Sequence, residues 1–308
     1  MTDKETMLWG TFSVLESAES FRNALTSGSD LEAISALSGV AIVTLIPLTL
    51  IRNAYCFSVG YAASVATMTI GIMFAFDVSV AAAKIHSPQE YLVQAAFWYG
   101  LRLSSFLALR EVTVVRMRKQ TEGLQKYPPA RMMLLATVMG IVYAFMVSPV
   151  LFAMRGTNQE DSSGRDENKL KTAVVWIGVA LAYIGLILEA VADLHKFLTK
   201  RRNGIVYGEK RFVGPVSGLY TLCRHPNYLF EATFWSRLWL TGAASFGRNN
   251  VLAWVCGTLG WIALLSVIVQ SAEHLDKKQE LRYGAQPEFE RWKKKVRGSL
   301  IPMVPCKD

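Results

Sequence analysis

The feature of this sequence that most constrains its fold is a set of long stretches without any Asp, Glu, Lys or Arg. Five such stretches occur, at residues 33–51, 53–76, 132–154, 172–188 and 249–272. Two further apolar segments, 91–109 and 229–246, carry one or two charged residues each. A helix needs roughly 20 residues to cross about 30 Å of hydrocarbon. The runs are continuous rather than alternating, which argues against a β-barrel. The sequence therefore predicts an all-α, multi-pass integral membrane protein with about seven transmembrane helices.

Composition excludes several other classes of protein. Of the 308 residues, 52% are apolar and only 19% are charged, which is too hydrophobic for a disordered chain. The four cysteines, Cys56, Cys223, Cys256 and Cys306, form no CxxC pair and have no histidine at ligand spacing. We therefore expect neither a disulfide framework nor a metal site.

The positive charges predict the orientation of the spans. Lys and Arg concentrate in three regions, with six in residues 110–131, seven in 193–224 and nine in 271–308. Because positive loops tend to stay in the cytosol, the C-terminus is expected there and the N-terminus on the opposite side. This topology explains the net charge of +9 better than nucleic-acid binding does.

The same patterns suggest a division of the chain into four parts. Residues 1–32 are expected to be an N-terminal extension, 33–154 a four-helix membrane region, and 155–171 a polar loop. Residues 172–308 would form a C-terminal membrane region. Its charged tail, 273–297, contains interspersed apolar residues and is expected to be an amphipathic helical segment resting on the cytoplasmic membrane face.

Ionisable side chains near membrane helices are costly to bury and are therefore candidates for function. Glu189 and Asp193 are four residues apart, which places both carboxylates on one helix face, with Lys196 and Lys200 following on it. The two lysines can equally be helix-end charges that reach toward water. Glu189 lies deeper in the apolar stretch.

A second polar cluster is the segment GLYTLCRHPNYLFE, residues 218–231. Arg224 offers a planar fork for a phosphate or carboxylate, and His225 offers a titratable donor. Asn227 and Tyr228 add neutral hydrogen-bonding groups, and Glu231 adds an acid. Pro226 fits the first turn of a helix, so these groups are expected where the chain re-enters the membrane. Such a set is typical of a site for a polar ligand.

The segments ADLHKF, FVGPVSGLYTLCRHPNYLFEATFW and DKKQELRYGAQPEFERWKKKVRGSLIPMVP resemble the C-terminal region of the steroid 5-alpha-reductase-like membrane family. The wider superfamily includes sterol reductases and isoprenylcysteine carboxyl methyltransferase. The resemblance implies a cytosol-facing cofactor pocket and suggests the endoplasmic reticulum. In the reductases, positions matching Asp193, Asn227 and Glu231 would hold NADPH, whereas in the methyltransferases the Arg-His-Pro-x-Tyr element would hold S-adenosylmethionine. The chain departs from the family pattern at Phe230, commonly Gly, and at Asp276, often Glu.

These observations favour an NADPH-dependent reductase that acts on a double bond of a lipophilic substrate entering from the bilayer. The basic residues before the motif suit the phosphates of a dinucleotide. Tyr228 and His225 are the expected donors that polarise the substrate, with the acid Glu231 or Glu189 as the alternative. The full set of expected cofactor-binding residues is Glu189, Asp193, Lys200, Arg224, His225, Asn227, Tyr228, Glu231 and Asp276. A methyltransferase using S-adenosylmethionine and a non-catalytic membrane scaffold remain open alternatives.

Overall fold

A computed structural model of the protein describes residues 3–79, 87–113, 122–156, 165–207, 211–247 and 249–302. These residues form nine α-helices and no strand, which confirms the predicted all-α class. The helices are α1, Asp3–Thr26; α2, Asp30–Ile51; α3, Val59–Ala75; α4, Pro88–Thr113; α5, Pro129–Gly156; α6, Arg165–Tyr207; α7, Pro226–Ala243; α8, Val251–Tyr283; and α9, Pro287–Lys295. Short 3-10 helices occupy Asn53–Phe57, Glu122–Lys126 and Gly218–Thr221.

Five of the described helices are long and apolar enough to cross a membrane: α2, α4, α5, Thr172–Arg202 of α6, and α8. They coincide with five of the expected spans. In place of the second expected span the structure has a 3-10 helix and the 17-residue α3, and in place of the sixth it has α7, which carries Glu231 and Arg237. Among the described residues five helices therefore meet the length and hydropathy of a membrane span, and the expected number of about seven stays a prediction.

The outward faces of these helices suit a hydrocarbon environment. On α6 the side chains of Ile187 and Val191 are at least half exposed, and on α8 the same holds for Leu259 and Val267. Large aliphatic groups at this density would be unfavourable in water but cost nothing against lipid tails. These apolar helices are thus compatible with a multi-pass integral membrane protein.

The chain divides into two compact units, the first comprising Met1–Trp176 and Trp239–Gly260 and the second Ile177–Leu238 and Trp261–Asp308. In the first unit α3 packs against α4, and α2 packs against α5 and α3. A Cβ atom added at Gly100 of α4 would lie 2.5 Å from the backbone nitrogen of Ala66 in α3. One added at Gly140 of α5 would lie 2.6 Å from Ile42 of α2. Glycine therefore sets the closest helix contacts, as is common between membrane helices.

The N-terminal helix is tied to the first unit by Arg155, at the end of α5. Its guanidinium donates to the carbonyl oxygens of Leu25, at 2.8 Å, and Ala24, at 2.7 Å, which belong to the last turn of α1. It also pairs at 2.7 Å with Asp30, in the first turn of α2. Arg155 thus supplies donors to carbonyl groups that a helix end leaves unsatisfied. Residues 1–32, expected to be an extension, contain a helix whose end is fixed in this way.

Two expectations about polar segments need correction. Helix α5 continues to Gly156 and α6 begins at Arg165, so residues 155–156 and 165–171 of the expected polar loop are helical, while 157–164 lie outside the described residues. In the tail, Phe289 and Trp292 are buried against Phe212 rather than laid on a membrane surface, with ring centroids 5.0 and 5.3 Å from its ring. An amphipathic pattern identifies an apolar face but not the surface that covers it.

The close approach at Gly100 makes a stability prediction. Gly100→Ala should destabilise the protein by about 1–3 kcal/mol, because the added methyl meets backbone atoms of α3 that cannot move independently. Gly39→Ala in α2 is the matched control, since nothing lies within 4 Å of its added Cβ. Thermal unfolding in detergent should show a lower Tm for Gly100→Ala alone; equal Tm values for the two variants would contradict the packing.

Candidate functional site

In the second unit, one face of α6 lies against the first half of α7. Gly185 marks the closest approach, where an added Cβ would lie 3.0 Å from the backbone nitrogen of Phe234 and 3.1 Å from the carbonyl oxygen of Phe230. Glu189 and Asp193 follow one and two turns later on the same face. Their exposed fractions are only 2% and 9%. Two carboxylates are therefore buried on the side of α6 that faces α7.

Helix α7 begins where the sequence predicted a first turn. Pro226 opens it, and the carbonyl oxygen of His225 accepts from the backbone N–H groups of Tyr228 and Leu229, both at 3.1 Å. Asn227 and Glu231 are one turn apart on one face of α7. Asn227 is buried, whereas Glu231 is half-buried.

Arg224 is engaged by the protein itself. Its Nε donates to Oδ1 of Asp276 at 3.1 Å and its Nη2 to Oδ2 at 2.8 Å, which makes a bidentate ion pair. Its Nη1 donates to the carbonyl oxygens of Val296 and Arg297, at 3.3 and 3.1 Å. The side chain is 5% exposed. The planar fork, which the sequence suggests for a phosphate or a carboxylate, is thus directed at a carboxylate of the chain.

Asp276, on α8, accepts from two more side chains. Nε2 of His225 lies 2.8 Å from Oδ1, and the hydroxyl of Ser299 donates to Oδ2. The backbone N–H groups of Arg224 and His225 donate to the carbonyl oxygens of Gly298 and Ser299, both at 3.0 Å. We call Arg224, His225, Asp276 and Ser299 the Asp276 clasp. It joins the start of α7, α8 and the segment after α9.

The residues of the clasp were not equally predictable. Asp276 was expected to contact the cofactor, but its hydrogen bonds in the structure are to the chain. Ser299 was not among the expected site residues. Its only signal was its place at the start of the SLIP segment on which the family resemblance partly rests.

His225 is fully buried, and its second ring nitrogen has no hydrogen-bond partner within the described part of the chain. Burial lowers the pKa of His225, and the hydrogen bond to Asp276, which raises that pKa, does not compensate. Among the described residues no group forms a hydrogen bond with the buried Nδ1 of His225 or the buried Oδ1 of Asn227. Buried polar atoms are nearly always paired, so these two atoms are candidates for contact with a ligand.

Aromatic and basic side chains adjoin these atoms. The ring of Tyr228 stacks on that of His225, with centroids 5.9 Å apart and planes at 29°. The ammonium of Lys196 lies 5.9 Å from the centre of the Tyr228 ring, within reach of a cation–π interaction. Lys200, one turn further along α6, is exposed.

Tyr220 also lies close to Asp193 on α6. Its hydroxyl donates to the carbonyl oxygen of Ala192 at 3.1 Å, and its ring meets that of His195 edge-on. Burial, and then the nearby charge of Asp193, raise the pKa of Tyr220, so this phenol stays protonated. Tyr220 lies in the polar segment 218–231 but is not among the site residues that the sequence predicts.

The arrangement is a group of buried polar atoms beside two lysines of α6. Glu189, Asp193 and Oδ1 of Asn227 offer acceptors near the buried Nδ1 of His225, while Lys196 and Lys200 add positive charge. A ligand with donor groups at one end and negative charge at the other matches this distribution.

No curated protein and no solved structure is a match for the chain. The profile of one family, described as "Protein of unknown function (DUF1295)", matches residues 59–296. The match begins at the first residue of α3, ends just after α9, and contains all nine expected site residues. Because the profile matches most of the length of this chain, the chain belongs to the DUF1295 family.

Proposed function

We propose that this protein is a membrane-embedded, NADPH-dependent reductase that acts on a double bond of a lipophilic substrate. The observation that carries the proposal is the pair of buried acceptors, Nδ1 of His225 and Oδ1 of Asn227, at the junction of α6 and α7. The resemblance of this motif to the steroid 5-alpha-reductase-like family supports the same reaction.

The residues at this junction fit a dinucleotide. Ribose hydroxyls and the amide of a nicotinamide are donors, and the buried acceptors of His225 and Asn227 need donors. Glu189 and Asp193 add further acceptors on the facing helix. Lys200 is exposed on α6 and can approach phosphates. Arg224 forms an ion pair with Asp276. When bound, NADPH would supply the hydride for the reduction.

Tyr228 is the residue best placed to handle a proton. Its phenol can donate to a carbonyl of the substrate, and the positive charge of Lys196 over its ring would stabilise negative charge as that proton leaves. His225 is directed at Asp276 through Nε2 and is less suited to donate to the substrate. Glu231, half-buried one turn beyond Asn227, remains the alternative acid.

The exposed aliphatic side chains of α6 and α8 support the proposed class of substrate. Helices α6 and α8 expose aliphatic side chains such as Val191 and Val267, which suit contact with membrane lipids and a route from the bilayer. A sterol-like or isoprenoid-like molecule fits this description. A cytosolic C-terminus and residence in the endoplasmic reticulum are part of the same proposal, supported by the basic clusters and by the resemblance.

A methyltransferase using S-adenosylmethionine is the second candidate. The observation that favours it is the buried carboxylate pair Glu189 and Asp193, which would suit the sulfonium and ammonium charges of this cofactor. It gives no role to Lys200, however, because S-adenosylmethionine has no phosphate.

Paired titrations of the detergent-solubilised protein with NADPH and S-adenosylmethionine separate these functions. We expect saturable NADPH binding and none of the methyl donor, because donors and phosphates match the site as described above. Isothermal titration calorimetry gives the dissociation constants of both cofactors directly. Binding of S-adenosylmethionine alone would favour the methyltransferase, and binding of neither would favour a non-catalytic scaffold.

Asn227→Ala tests the buried acceptor on α7. Loss of one hydrogen bond in a buried site should raise the Kd for NADPH about tenfold. Asn23→Ala, the same substitution at an exposed position of α1, is the matched control and should leave the Kd unchanged. Equal affinity of both variants would place the cofactor elsewhere.

Lys200→Ala tests the phosphate end of the site. An exposed cation near a phosphate contributes modestly and is screened by salt, so the Kd for NADPH should rise about threefold at low ionic strength and less at high salt. Lys294→Ala, at an exposed position of α9, is the control for loss of one positive charge. A salt-independent loss, or the same loss in both variants, would argue against a phosphate contact at Lys200.

A further inference from the structure

We propose that Asp276 fixes His225 in the tautomer that carries its proton on Nε2, so that Nδ1 is a buried hydrogen-bond acceptor for the ligand. Asp276 is then a positioning residue, since it acts on the ligand only through the imidazole ring. The identity of the ligand as NADPH rests on the proposed function, whereas the tautomer does not.

The first step is the direction of the His225–Asp276 hydrogen bond. Asp276 faces the Arg224 guanidinium in a bidentate pair and also accepts from the Ser299 hydroxyl, which are the contacts of an ionised carboxylate. An ionised carboxylate can only accept. Nε2 of His225, 2.8 Å from Oδ1, must therefore carry a proton.

The second step is the charge of the ring. A doubly protonated His225 would place a buried N–H at Nδ1 without an acceptor among the described residues, beside the cations Arg224 and Lys196. Asp276 is the acidic group in contact with the ring, and its two oxygens are already shared with Arg224 and Ser299. Full burial also disfavours the charged form. The ring is therefore neutral, and Nδ1 carries a lone pair.

The third step is the position of that lone pair. Nδ1 belongs to a side chain that is 0% exposed, stacked on Tyr228 and two residues before Asn227, whose Oδ1 is also without a hydrogen-bond partner among the described residues. Two acceptors close in sequence are thus both buried and both unused by the described part of the protein. A ligand donor, such as a hydroxyl or amide N–H, would satisfy them.

The tautomer can be observed directly by ¹⁵N NMR of protein labelled at histidine, without any ligand. The His225 signals are assigned by their loss in His225→Gln. We expect an unprotonated Nδ1 and a protonated Nε2, which have widely separated chemical shifts. A proton on Nδ1, or protons on both nitrogens near neutral pH, would overturn the proposal.

Asp276→Asn tests the cause of this preference. The neutral amide can present its NH₂ group to Nε2, so we expect a mixture of tautomers in which part of the population carries its proton on Nδ1. Ser299→Ala is the control, because it removes a donor to Asp276 without touching the ring, and it should retain the wild-type signals. If Asp276→Asn shows the same single tautomer as the wild type, Asp276 does not fix the tautomer of His225. If that variant does not fold, the wild-type spectrum still decides the tautomer.

Two substitutions of His225 separate the ligand contact from the clasp. Glutamine keeps an N–H near the position of Nε2 but has no acceptor at Nδ1, so it should fold and bind NADPH at least about tenfold more weakly. Asparagine can place its oxygen near Nδ1 but does not reach Asp276, so it should lower the Tm yet bind NADPH more tightly than glutamine. The reverse order of affinities would contradict an acceptor role for Nδ1. If NADPH fails to bind the wild-type protein, the proposed function fails while the NMR result stands.

Discussion

The partly buried ion pair between Arg224 and Asp276 is the interaction on which the C-terminal unit depends. It joins a residue just before α7 to one on α8, and Arg224 also holds the carbonyl groups of residues 296 and 297. Charges this deep in a protein are favourable only when geometry and hydrogen bonding are nearly complete. Here both carboxylate oxygens accept more than one bond, so the cost of burial is offset by a closely specified arrangement of three segments.

The ion pair also gives the side chains of the Arg-His-Pro-x-Tyr element different partners. Arg224 serves the chain, since its fork is directed at Asp276 and at backbone oxygens. His225 has one nitrogen in the clasp and the other unpaired by the described residues. Tyr228 lies under Lys196. Within five residues the element therefore passes from a side chain engaged by the protein to the residues of the proposed ligand site, with His225 as the link between the two.

Local patterns in the sequence predicted the apolar helices, the start of α7 at Pro226 and the shared face of Glu189 and Asp193. Each of these depends on residues a few positions apart. The partner of Arg224 could not be predicted in this way, because Asp276 is 52 residues distant and a basic motif residue fits a phosphate as well as a carboxylate. The sequence pattern likewise predicts an apolar face on the tail but not what covers it. The aromatic residues of that face pack against Phe212, although lipid would have suited the pattern equally well.

The departure at Asp276 from the pattern of the resembled reductase family is accommodated by the structure. Asp276 is one methylene shorter than Glu, yet it reaches Arg224, His225 and Ser299 at hydrogen-bonding distance. Buried acceptors without a partner cost stability. Among the residues that the structure describes, Nδ1 of His225 and Oδ1 of Asn227 are two such atoms, and their nearness in sequence is what supports the proposed ligand site.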